Sequence, residues 1–139
     1  MFSTIVLSHD SAQTAGILLL AVVAVEYGGT YMLRIVRGRV PLTEFQKNFS
    51  RAGHAHAGVL VILSLLSVTL VDATHLHGLP SCLARNAIPV SAILMPAGFF
   101  LSSVGRNREQ PNGLIALLYL GVLSLTAGAV SLGIGLLQA

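Results

Sequence analysis

Charge is scarce in this chain. Asp, Glu, Lys and Arg together make up only 9% of the residues while 54% are hydrophobic, and the mean hydropathy is +0.81. A soluble domain of 14.5 kDa has too little interior to bury that much apolar surface, so lipid is the expected surrounding for most of it. Cysteine is nearly missing as well: the single Cys82 excludes an intramolecular disulfide and a thiolate metal cluster, and it does not report a redox compartment. Also lacking are a phosphate-cradling glycine loop, a nucleophile elbow and a zinc-protease HExxH, so the common soluble hydrolase and nucleotide-binding classes find no support. No low-complexity tail or linker divides the chain.

What is present is a set of four long apolar runs. A bilayer core of about 30 Å is crossed by about 20 mostly apolar helical residues. Runs of that kind lie near Ala12 to Leu33, Gly53 to Val71, Leu83 to Val104 and Gly113 to Leu137. The connections are too short for another domain, so residues 1–139 are expected to form a single transmembrane domain. The predicted fold is all-α, an integral membrane antiparallel four-helix bundle. Met1 to Asp10 lacks Lys and Arg and the first run outlasts the core of a signal peptide, so this run is expected to stay as a span.

The few cations are unevenly placed. Arg34, Arg37, Arg39, Lys47 and Arg51 fall between the first two spans and Arg106 and Arg108 between the last two, leaving only Arg85 elsewhere. The positive-inside rule then makes loops 34–52 and 105–112 cytoplasmic and puts both termini and the loop from Asp72 to Cys82 on the other side. A net charge of +3 arranged in this way suits anionic lipid rather than nucleic acid, and no nucleic-acid partner is expected.

Local signals refine the helices. Thr43-Glu44-Phe45-Gln46 after Pro41 has the form of a capping box, with Thr43 as N-cap and Gln46 at the third helical position, so the second helix should start before its apolar run. Its first turns, with Phe45 and Phe49 among polar residues, read as interfacial. Pro96 removes a backbone bond to the Ala92 carbonyl and predicts a kink or widening in the third span, whereas Pro89 lies closer to the helix start. In the fourth, Gly121, Ser124, Gly128, Ser131 and Gly135 form a small-residue seam, expected to pack a helix and to offer a contact for a homo-oligomer or a larger membrane complex. An Arg/Gly-rich turn follows an apolar run in each half (37–39 and 105–108), a pattern suggesting a duplicated hairpin.

The candidate chemistry sits near one end of the bundle. Glu26 lies inside the first run, where a charged side chain costs about 2.5–3.5 kcal/mol on insertion scales, so it is expected to face the bundle and to be protonated or paired. Seven residues before Leu33, it sits about 10 Å from that end of its span, the end at which Arg51-Ala52-Gly53-His54-Ala55-His56-Ala57-Gly58 opens the second. His54 and His56 are two residues apart, about 200° around a helix, so they cannot share one ion as an i, i+4 pair does. If a haem or transition metal binds, one imidazole is the ligand and the other a lining or proton-handling group, with Arg51 available to a propionate or phosphate. Tyr27 and Tyr31 flank Gly28 and Gly29, a place where a backbone or a flat ligand approaches closely. At the other end His9, Asp10, Asp72, His75 and His77 form a looser candidate group for zinc or copper, with solvated loop residues as the alternative.

The stretch from Arg51 to Leu66, RAGHAHAGVLVILSLL, resembles the histidine-bearing helix of small cytochrome-oxidase-like membrane proteins, in which an Ala-His pair opens an apolar span. It also resembles the hydroxylaminobenzene mutase family, small four-span proteins with an Arg, Gly, Ala-His, Gly helix; that likeness extends loosely to Pro96-Ala97-Gly98 and the turn bearing Glu109 and Gln110. The first resemblance does not imply oxygen reduction, because the chain lacks the further helices and ligands of a haem-copper centre. Three readings follow. One is a cofactor protein with His54 or His56 as ligand, Arg51 and Tyr27 beside the cofactor, and Glu26 as a proton-exchanging carboxyl. The second is a membrane isomerase in which Glu26 and His56 serve as acid and base on an aromatic substrate. The third is a noncatalytic subunit or assembly partner of a membrane complex.

Overall fold

The computed structural model describes residues 6–139, and the first five residues, on which part of the reading of the N-terminus rests, lie outside it. Four long helices form, each long and apolar enough to cross a membrane: α1 (His9–Val36), α2 (Glu44–Leu70), α3 (Gly78–Ser102) and α4 (Ala116–Leu137). No strand occurs among the described residues. Short 3-10 turns, Val71–Ala73 and Gly113–Ile115, close α2 and lead into α4. The helices pack in chain order, α1 on α2, α2 on α3 and α3 on α4, with the last pair the most extensive.

The anticipated capping box opens α2. The Thr43 side chain accepts from the Gln46 backbone N–H at 3.2 Å and the Gln46 side chain accepts from the Thr43 N–H at 3.2 Å. Gln46 does more than cap, because its buried Nε2 also donates to the carbonyls of Ser103 and Gly105, at 2.9 and 2.8 Å, and Thr43 Oγ1 donates to the Arg108 carbonyl. The start of α2 is thereby stitched to the end of α3, and the two basic turns share one end of the bundle. Asn107, at φ 50°, and Gly105, at φ 134°, supply the left-handed backbone that folds the second turn so tightly.

At the other end the Ser8 N–H and hydroxyl donate to the two carboxylate oxygens of Asp72, at 2.8 and 3.0 Å. Arg85 donates to Ser8 Oγ and to Asp72 Oδ1, both at 3.0 Å, and to the Ser11 hydroxyl. Arg85, the one cation outside residues 34–52 and 105–112, is therefore the internal partner of an aspartate, and three helices are tied together by a largely buried cluster.

The α3–α4 pair explains both the prolines and the small residues. α3 stays helical through Pro89 and Pro96, which are seven residues apart, and Gly128 and Gly121 on α4 have the same spacing. A Cβ on Gly128 would lie 2.9 Å from the Ile88 nitrogen and one on Gly121 2.9 Å from the Met95 nitrogen, the residues just before the two prolines. A Cβ on Gly98 would meet the Leu118 nitrogen, and Ser124 Oγ donates to the Ala87 carbonyl at 2.7 Å. The helices thus touch backbone to backbone, as small-residue packing in lipid requires. The seam anticipated as a surface for a partner is taken up inside the chain: Gly121 and Gly128 close on α3 and Gly135 on Leu76. The two hairpins accordingly differ, since α1 meets α2 without such an interlock.

Along α1 the buried and half-buried positions are Ser11, Thr14, Ala15, Leu18, Ala21, Val25, Gly28, Gly29, Met32 and Ile35. They follow a seven-residue repeat, a single packing stripe against the bundle. Leu18, Val61 and Val68 form the apolar core beneath it, and Val71, Ala84, Ile88 and Leu132 form a second core nearer the Asp72 end.

Candidate functional site

The carboxyl of Glu26 lies outside the packing stripe. It immediately follows Val25, which turns toward Gly58 of α2, and with Ala12, Leu19 and Leu33 it occupies a fully exposed row of the repeat. The expectation that Glu26 faces the bundle is therefore corrected. A carboxyl is costly on either side of α1 that meets lipid, and the sequence does not tell the helix's inner side from its outer one, because both are apolar. Among the described residues, Glu26 makes no ion pair with His54 or His56. Its neighbours on the exposed surface are Leu19, Val23 and Tyr27, the last 78% exposed.

The two histidines part company as their spacing predicts. His54 faces α1, where its ring rests on the Gly28–Gly29 shelf: a Cβ on Gly28 would lie 3.4 Å from its Nδ1 and one on Gly29 3.7 Å from its Nε2. The glycine pair between the tyrosines thus admits a side chain of α2. His56 faces α3, its ring centroid 4.9 Å from that of Phe99, which meets Phe49 edge-on at 5.5 Å. Phe49 in turn lies 4.2 Å from Phe45, so the aromatic residues at the start of α2 continue inward as a ladder to His56 rather than stopping at the interface.

Because a carbonyl oxygen only accepts, the 2.8 Å contact between His56 Nδ1 and the Ala52 carbonyl puts the proton on Nδ1 of the neutral ring and leaves Nε2 as the acceptor. One imidazole per chain is the most that a single ion meets here, since the two rings face different helices. Among the described residues no group of three His, Cys, Asp or Glu side chains converges as a metal site. The loose group at the opposite end disperses too: His9 and Asp10 are exposed and 3.9 Å apart, His75 and His77 are exposed, and Asp72 is engaged by Ser8 and Arg85. Arg51 and Tyr27 are both exposed and belong to different helices, and the small cavity at His56 is lined by Ala55 and Val59 and by neither of them.

A cleft that the sequence did not reveal opens near His54. It has a volume of about 240 Å³ and lies at the basic end, lined by Tyr31 of α1, Leu42, Gln46 and Ser50 of the α2 entrance, Phe100 of α3, and Ser103, Val104 and Gly105 just beyond it. Gly53 shapes it from behind, because a Cβ there would sit 3.0 Å from the Phe100 ring and 3.1 Å from Phe99 Cβ. Ser50 and His54 are one helical turn apart on the same side of α2. The only sequence signal for this cleft was the neighbourhood itself, Tyr31 after Gly28-Gly29 and Ser50 before the histidines.

With this geometry in view, comparison with protein-family models, with curated proteins and with solved structures gives no match.

Proposed function

We propose that this chain is a noncatalytic, self-associating subunit of the membrane, crossing the bilayer four times with loops 34–52 and 105–112 in the cytoplasm and joining a second copy through the outer face of α1. One observation carries the reading: Glu26 is exposed on a helix otherwise surrounded by apolar side chains, ten residues or about 15 Å along the axis from the end of α1. A carboxyl at that depth is costly against lipid and becomes tolerable when neutral and hydrogen-bonded, or buried against another helix. A two-fold axis along the membrane normal brings the two Glu26 residues to the same depth, where a pair of carboxyls sharing protons supports itself. The separation of Glu26 from both histidines weighs against the acid–base isomerase and against Glu26 as the proton-exchanging neighbour of a histidine-bound cofactor. The segregation of the basic turns to one end supports the stated orientation.

The test is the particle mass of the protein in nanodiscs, measured by native mass spectrometry across a range of protein-to-disc ratios. The wild type should populate dimers, Glu26→Leu should be monomeric, and Glu26→Gln, which keeps a hydrogen-bonding amide, should fall between them. A wild type that stays monomeric at every ratio, or a Glu26→Leu variant that dimerises equally well, overturns the proposal.

A further inference from the structure

The cleft at the basic end carries an inference independent of self-association. Ser50 is only 6% exposed as a whole residue, yet its hydroxyl takes part in none of the side-chain hydrogen bonds among the described residues, and because no fully buried side-chain oxygen there lacks a partner, that oxygen keeps accessible surface. The other buried serines all have such a bond. Ser64, Ser67, Ser91, Ser102 and Ser103 donate to carbonyls three or four residues back, and Ser11 is held by Arg85. Serine on a helix has that bond within easy reach, so one that leaves it unmade keeps its hydroxyl available at the accessible surface beside it. Ser50 lines the cleft.

The rest of the lining limits what fits. Gln46 has both N–H groups engaged by carbonyls, and Ser103 donates to the Phe100 carbonyl at 2.9 Å, so neither is free to bind. The remaining donors in the lining are the Ser50 hydroxyl, contributed by α2, and the Tyr31 phenol, 39% exposed, contributed by α1. No charged side chain lines the space, which disfavours a phosphate or carboxylate. The Phe100 ring and Leu42 offer flat apolar walls. At about 240 Å³ the cleft is smaller than the roughly 300–1,000 Å³ that holds a drug-sized molecule, so it takes a single ring or head group with any tail left in the lipid.

We infer that the cleft between α1, α2 and α3 binds the neutral, carbonyl-bearing ring of a lipid-soluble molecule, the chemistry of a quinone head group, with Ser50 and Tyr31 donating to its oxygens. Two hydroxyls brought to one uncharged cleft by two different helices match a ring that carries more than one acceptor. His54, one turn deeper on the same side of α2 as Ser50, closes the inner end of this region against Gly28–Gly29.

The experiment uses the full chain in nanodiscs of zwitterionic lipid with decylubiquinone as the probe. Binding is read by equilibrium titration, and the site is located by photolabelling with an azido-quinone followed by peptide mapping. Saturable binding is expected, with label on the segments around Tyr31, Ser50 and Phe100. Ser50→Ala, which removes no internal bond, should weaken binding about three- to tenfold, the worth of one hydrogen bond. Ser50→Leu should fill the cleft and abolish binding, with circular dichroism verifying that both variants are folded. Absence of saturable binding to the folded wild type, unchanged binding by Ser50→Leu, or displacement of the quinone by oleate at equal concentration overturns the assignment.

Discussion

Replacing Gln46 should unfasten the basic end of the bundle, and the bonds its side chain makes to three backbone groups allow the cost to be worked out. In Gln46→Leu the carbonyls of Ser103 and Gly105 and the N–H of Thr43 each lose their partner. A typical bond contributes about 1 kcal/mol net, and a buried group left without a partner costs about 1–3 kcal/mol. Gln46 is 5% exposed and Ser103 6%, so the bond to the Ser103 carbonyl belongs at the upper end of that range, while Gly105 is exposed and its carbonyl finds water. The leucine recovers about 1 kcal/mol by burying apolar surface. The balance is a loss of about 2–3 kcal/mol. Gln46→Glu has the same shape and keeps the acceptor for the Thr43 N–H, but a carboxylate has no proton to donate and brings a charge against two carbonyl oxygens, so it should lose at least as much at neutral pH. Reversible unfolding in mixed micelles, followed by circular dichroism, measures both. If Gln46→Leu unfolds within about 0.5 kcal/mol of the wild type, the side chain is a helix cap of little consequence and the link between α2 and α3 lies elsewhere.

The α3–α4 interlock predicts a contrast between two glycines of one helix. Gly128→Ala should cost about 1–3 kcal/mol, because its Cβ would meet Ile88 Cγ1 at 2.8 Å and the Ile88 nitrogen at 2.9 Å, whereas Gly133→Ala, with nothing within 4 Å, should be neutral or stabilising by up to about 1 kcal/mol; equal effects in the same unfolding assay would contradict the packing account. At the opposite end, Arg85→Met should cost about 1–3 kcal/mol by leaving Asp72 without its ion pair and Ser11 without its donor, and adding Asp72→Asn should restore part of the loss. A double variant no more stable than Arg85→Met alone would show that the two side chains are not coupled.

The four spans were legible because lipid imposes a length and a hydropathy that no soluble fold would use. The Thr43/Gln46 box was legible because its chemistry is local. The opposed directions of His54 and His56 followed from helix geometry alone. Which side of α1 is the inner one did not follow, since leucine and valine serve lipid and bundle equally well and the seven-residue stripe is set by glycine, alanine and threonine as much as by large side chains. The pairing of Asp72 with Arg85 was hidden differently: Asp72 was read as a loop residue and Arg85 only as the cation lying apart from the basic loops, and it is the fold of the 71–78 turn that brings them both to Ser8. The Gly121 to Gly135 seam was correctly read as a packing face, but sequence does not state whether the facing helix belongs to the same chain.

The outward position of Glu26 is tied to the inward position of the glycine shelf. Successive residues on a helix turn by about 100°, so Glu26 and Gly28 differ by about 200°. Rotating α1 far enough to bring Glu26 beneath α2 would turn Gly28–Gly29 away from His54 and set bulkier side chains against the imidazole, where a Cβ would already be in van der Waals contact. It would also carry Ser11 and Ser8 away from Arg85 and Asp72 at the far end of the same helix. α1 is therefore held in one rotational setting by two separated contacts, a polar cluster near its start and the His54 shelf near its end. In that setting no hydrogen bond or ion pair of the described fold engages the carboxyl, so any partner that lowers its cost in a bilayer must reach it from the outer face.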